Sequence, residues 1–161
     1  MSSSQALEVA LHARHLERED LRQILLADTP AQMTMTQQAA EKVLLAHCGD
    51  TVKLRGLIEF SNYCVSDCLY CGIRKSNPAP QRYLLPMDDI LASARQIAEL
   101  GYGSLVLQSG ERQDRKFVEY VAEAVRAIKQ ATRSARLPEG LGITLCVGEQ
   151  SRESYARFFE A

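Results

Sequence analysis

From residue 52 onward, short strand-like runs alternate with helical ones, and this alternation restricts the fold more than any other feature of the chain. Strands are read at Val52–Phe60, Ser104–Gln108 and Gly142–Val147. Helices are read at Pro86–Leu100, Lys116–Thr132 and from Ser151 to near Ala161. Strand, helix and strand in succession predict an α/β fold with parallel strands and helices outside. Alternate strand residues face opposite sides. Leu54, Ile58 and Phe60 share one side of strand one, opposite Arg55, Leu57, Glu59 and Ser61. Leu105 and Leu107 oppose Ser104, Val106 and Gln108; Ile143, Leu145 and Val147 oppose Thr144 and Cys146. Each strand thus has an apolar face for helices and a mixed face carrying Glu59, Gln108, Thr144 or Cys146. A mixed face suits the interior of a βα barrel that encloses a substrate; an ordinary doubly wound sheet is the alternative.

The residues before this alternation read as helix. One helix is expected from Glu8 to Leu26. A second is expected from Thr29-Pro30, a helix-start pair, to Cys48, with its stop at Gly49-Asp50. The chain therefore divides into a helical segment, 1–50, and a βα portion, 51–161.

In barrels and open parallel sheets, sites form at the C-terminal ends of strands. Three motifs fall there. Strand one runs into Ser61-Asn62-Tyr63-Cys64-Val65-Ser66-Asp67-Cys68-Leu69-Tyr70-Cys71-Gly72. Strand two ends in Gln108-Ser109-Gly110-Glu111, strand three in Gly148-Glu149. The cysteine spacing is C-x3-C-x-Φ-C, with Tyr70 the aromatic. Three thiolates cannot close a four-ligand structural zinc site. They can hold three irons of a [4Fe–4S] cluster and leave the fourth open to a ligand. The alternative is a zinc knuckle whose fourth ligand is Cys48, Cys146, His47, His12 or His15, none at finger-like spacing. Arg74 and Lys75, just beyond the loop, suit an anionic cluster, an anionic ligand or solvent.

This loop resembles the signature of the radical S-adenosylmethionine (SAM) superfamily. The resemblance implies a TIM-like βα barrel in which Cys64, Cys68 and Cys71 ligate a [4Fe–4S] cluster and SAM chelates the open iron. One electron then cleaves SAM to methionine and a 5′-deoxyadenosyl radical. By the same resemblance Tyr70 packs near the adenine, and Gln108, Ser109, Gly110 and Glu111 lie at the methionine end. Ser109 stands where the family's Gly-Gly-Glu pattern has glycine. Glu149 resembles a carboxylate near the SAM ribose or amino acid; a solvated acid at a helix N-terminus is its alternative. Substrate is expected deeper, near Glu59, Gln108, Thr144 and Cys146.

Arg55–Cys64, Cys68–Arg74, Leu107–Glu111 and Ile143–Glu149 are most similar to the HydE-type maturases of [FeFe]-hydrogenase. That likeness implies a role in H-cluster assembly, a flavodoxin or ferredoxin as electron donor, and other hydrogenase maturases as partners. Biotin synthase and methylornithine synthase share the architecture and are the competing readings, beside an inactive fragment that only binds a metal or cluster. A barrel of this kind has six or eight βα units and this sequence supplies about three. A longer parent chain, with strand three as an unpaired edge, is therefore expected.

Composition narrows the setting. A net charge of −1 over 161 residues gives no general pull toward nucleic acid or anionic membrane. No apolar run reaches the ~18 residues of a membrane span. Five cysteines, three of them clustered, behind an N-terminus without secretory character fit metal binding in the cytoplasm. Cys48 and Cys146 are read as small buried hydrophobes, with Cys146 able to face a cavity. His12, His15 and His47, with Arg133 and Arg136, are read as solvent-exposed.

Overall fold

A computed structural model describes residues 2–161, which divide into two compact units with the boundary between Lys53 and Leu54. The first unit is helical: α1 (Ser3–Leu11), α2 (Arg18–Leu25) and α3 (Pro30–Cys48). Thr29 caps α3 by accepting from the Gln32 N–H, with Pro30 at the first helical position, and Gly49 ends it at φ 73°. The single helix expected over Glu8–Leu26 is instead two. His12 ends α1, and Asp20 fixes the start of α2 by accepting from the Glu17 N–H at 2.9 Å. That start signal breaks the helix where charge and apolarity alone gave no reason to stop. The histidines are exposed, and so is Cys48.

The second unit holds β1 (Gly56–Ser61), α4 (Met87–Glu99), β2 (Ser104–Ser109), α5 (Arg115–Ala131), β3 (Gly142–Cys146) and α6 (Arg152–Phe159). The strands are parallel in the order β1-β2-β3, with Gly56 opposite Leu105 and Ser104 opposite Gly142. Sequential order without reversal is how a barrel winds; a doubly wound sheet turns back at its switch point. β1 is shorter than expected at its start because pairing begins only at Gly56. Leu54 consequently lies outside the strand, 61% exposed.

Within this unit, among the described residues, the helices pack on one face of the sheet. Ile58, Phe60, Leu105 and Leu107 are buried there with Ile90 and Ala94 of α4 and Phe117, Val121 and Ala122 of α5. The Phe60 and Phe117 rings stack with centroids 6.1 Å apart. Removing such a side chain from water stabilises a fold by ~1.5–3 kcal/mol. The opposite face carries exposed Leu57, Glu59, Thr144 and Cys146. Cys146 is therefore not a buried hydrophobe; its thiol lies on the mixed face. Arg136, read as merely solvated, donates to the carbonyls of Ala98, Gly101 and Tyr102 and so caps the C-terminus of α4. Among the described residues no helix is long and apolar enough to cross a membrane.

Candidate cluster and cofactor site

The loop after β1 is tied down at both ends. At its base Phe60–Asn62 pairs antiparallel with Tyr83–Leu85. Asn62 N–H donates to the Tyr83 carbonyl at 3.3 Å and Leu85 N–H to the Phe60 carbonyl at 2.8 Å. The Asn62 side chain joins in, accepting from the Tyr83 N–H at 2.8 Å and donating to the Gln81 carbonyl at 2.7 Å. Within the loop, Cys71 N–H donates to the Cys68 carbonyl and Lys75 N–H to the Ser66 carbonyl, both at 2.9 Å. Asp67 accepts from the Ser76 N–H at 3.0 Å. Bonds from Ser76 hold the Asp67 carboxyl below its ordinary range, and the charges of Arg74 and Lys75 add to the effect.

Glu111, after β2, fastens this loop to the other two strand ends. Its carbonyl accepts from Val65 N–H at 2.9 Å. One carboxylate oxygen accepts from the Ser66 hydroxyl and the other from the Glu149 N–H, each at 3.2 Å. Gln113 donates to the Glu149 carbonyl at 3.1 Å, and Gln150 to the Arg112 carbonyl at 2.8 Å. Two glycines allow the approach. A Cβ on Gly110 would meet the Tyr63 carbonyl and lie 2.8 Å from Cys64 Cβ. Gly148, at φ +75°, would collide with Glu111 if it carried a Cβ. The motifs after all three strands thus form one connected rim.

The sequence-identified residues fall in this rim with different surroundings. Cys64 and Cys71 are half-buried, Cys68 is exposed, and all three are free thiols. Tyr70 is 93% exposed at the loop tip, beside exposed Leu69. The Ser109 hydroxyl donates to the Gly110 carbonyl at 2.8 Å. Gln108 donates to Glu59 across the mixed face at 3.2 Å. Glu149 contributes through its backbone. A pocket of about 230 Å³ at the strand ends is lined by Glu59, Ser61, Asn62, Ile73, Tyr83, Gln108 and Ser109. Among the described residues no three His, Cys, Asp or Glu side chains converge as a ready ion site. The hydrogen bonds above fix the backbone of the loop that carries Cys64, Cys68 and Cys71.

The family model of the radical SAM superfamily matches residues 58–161, which contain the whole of this rim. The chain belongs to the radical SAM superfamily. It is 33% identical, over its whole length, to the [FeFe] hydrogenase maturase subunit HydE of Thermotoga maritima, of which it spans 43%. It is 29% identical over 81% of its length to the 2-iminoacetate synthase of Escherichia coli, of which it spans 34%. The solved structure of the FeFe-hydrogenase maturase HydG from Carboxydothermus hydrogenoformans superposes with a TM-score of 0.84 at 22% identity, over 98% of this chain and 35% of that one. The fold is accordingly part of a radical SAM βα barrel. The chain spans less than half the length of these curated relatives.

Radical SAM proteins use a [4Fe–4S] cluster and SAM, and the donor set here fits that pair. Three free thiols on one tied-down loop match three irons and leave one iron open. The clasp at Arg82 escaped the sequence reading altogether. Its guanidinium donates to four loop carbonyls, and no spacing or composition rule connects Arg82 to them.

Proposed function

We propose that these residues form the cluster- and SAM-binding portion of a radical SAM enzyme of HydE type, acting in assembly of the [FeFe]-hydrogenase H-cluster. The observation that carries this reading is the rim itself: the cysteine loop, Glu111 and Glu149 are hydrogen-bonded into one surface at the strand ends. The cluster would supply the electron that cleaves SAM reductively. Cys64, Cys68 and Cys71 would hold it. Ser109, Gly110 and Glu111 would seat the methionine end, Glu111 offering the anion that an ammonium needs. Tyr70, exposed at the loop tip, would cover the adenine. Gln108 and Glu59, bonded to each other, would present a polar floor, with Thr144 and Cys146 beside them on the mixed face.

The HydE assignment rests on similarity over the whole chain to the Thermotoga maritima protein. A biotin synthase-like or methylornithine synthase-like activity is the second reading, favoured by the chain's likeness to those enzymes as well. The proposal includes a reducing cytoplasmic setting, on the ground of five free cysteines, and flavodoxin or ferredoxin as donor. It also includes the division into a helical segment, 1–50, and a barrel portion, 51–161.

The test is chemical. Reconstituted anaerobically with iron and sulfide and reduced in the presence of SAM, the protein should release 5′-deoxyadenosine and methionine. Zinc alone in the site, or a cluster that forms but leaves SAM intact, would favour a metal-binding module without radical chemistry.

A further inference from the structure

Between the end of β1 and its antiparallel return, residues 62–82 must present three thiols to one centre. A loop of that length is costly to order by itself. Arg82, at its far end, supplies the constraint. One terminal nitrogen, Nη1, donates to the Asn62 carbonyl at 2.6 Å and to the Ile73 carbonyl at 2.8 Å. The other, Nη2, donates to the Arg74 carbonyl at 2.7 Å and to the Asn77 carbonyl at 3.2 Å. These carbonyls belong to the first residue of the loop and to the stretch directly after Cys71. A planar guanidinium can hold so many acceptors in one fixed arrangement; a lysine ammonium has three donors and no fork.

The charge is as informative as the bonds. Arg82 is half-buried, and among the described residues none of the ion pairs includes it. Its partners are neutral carbonyls, so its positive charge is not cancelled locally. Arg74 adds a second guanidinium bonded to the Cys71 carbonyl at 3.1 Å, and Asp67 is the nearby acid, held by Ser76. A positive charge near a bound cluster would favour the state with one more electron, and it would act more strongly where water is partly excluded.

We propose that Arg82 is a positioning residue for the cluster: it locks the start of the cysteine loop to the segment after Cys71, and its uncancelled charge raises the cluster's reduction potential. The inference rests on the cluster-binding reading above, and its test has one arm that does not. In the cluster-free chain, hydrogen exchange should show the Cys71, Arg74, Lys75 and Ser76 amides protected in wild type. Arg82→Met should abolish that protection while leaving β1 and β2 protected. Unchanged protection would overturn the clasp whether or not a cluster ever binds.

In the second arm, Arg82→Met should take up about tenfold less cluster at limiting iron, the usual scale for losing a group that orients metal ligands. What cluster remains should titrate at a more negative potential. Arg82→Lys keeps the charge but not the fork. It should therefore lose occupancy with little change in potential, and it decides the matter if the methionine variant fails to fold. Wild-type occupancy in Arg82→Lys would overturn the positioning role. An unchanged potential in a folded Arg82→Met would overturn the electrostatic one. A wild-type chain that takes up no cluster would contradict the parent reading, leaving the exchange result to stand separately.

Discussion

Cys68→Ser should abolish cluster binding and leave the fold intact. The Cys68 side chain is exposed, and its backbone contribution, the carbonyl that accepts from Cys71 N–H, does not depend on the sulfur. Substitution therefore removes a ligand without opening a cavity or breaking a turn. A serine hydroxyl remains protonated at neutral pH and is a poor ligand to iron, whereas the thiolate is the species that binds. Two thiolates cannot hold the three irons. Iron and sulfide content after reconstitution should fall to near background, with thermal unfolding unchanged within about 0.5 kcal/mol, the usual scatter for surface substitutions. Cys146→Ser and Cys48→Ser, made in parallel, should bind a full cluster, since neither belongs to the loop. A cluster that survives Cys68→Ser but not Cys146→Ser would reassign the ligands.

The second large effect concerns Glu111. Its carboxylate joins two strand ends to its own by accepting from Ser66 and from the Glu149 N–H. Alanine removes both bonds. A hydrogen bond to a charged group contributes ~1.5–3 kcal/mol, and the partial exposure of this pair places it at the low end. Glu111→Ala should therefore loosen the rim, bind cluster less well and lose SAM affinity by tenfold or more, about 1.4 kcal/mol. Glu111→Gln separates the contributions. Its amide can donate to the Ser66 oxygen while its carbonyl accepts from Glu149 N–H, so the rim stays joined and only the negative charge is gone. The glutamine variant should keep wild-type cluster content and still lose SAM affinity, measured by equilibrium binding to the reconstituted protein. Wild-type SAM affinity in Glu111→Gln would make Glu111 a structural fastener alone.

Period-two patterning located the three strands because one face of each meets helices and the other does not. Ile58, Phe60, Leu105 and Leu107 are buried, while Glu59 and Thr144 are exposed, as the alternation requires. The start of β1 was less legible. Whether Val52–Arg55 pair depends on where β2 begins, which no local pattern encodes. The cysteine loop was legible as a motif because its chemistry fixes both residue type and spacing. What ties the loop down was not. Arg82 and Arg136 both act by donating to backbone carbonyls, and a carbonyl is present at every residue, so the sequence carries no mark of which ones are chosen. Ser66 was hidden for a related reason: a serine within a turn-rich loop has many local uses, and its partner Glu111 lies 45 residues away. The break between α1 and α2 could have been read from Glu17 and Asp20, whose spacing permits the Asp20 carboxylate to accept from the Glu17 N–H.

On the proposed function, the cysteine loop holds a cluster with one iron open to SAM. Electron paramagnetic resonance of the reconstituted, reduced protein, recorded with and without SAM, tests it most directly. The reduced protein should show a [4Fe–4S] signal whose g values shift when SAM is added, because a ligand would join the open iron. A signal that SAM leaves unchanged, or a protein that retains zinc and shows no cluster signal, would contradict it.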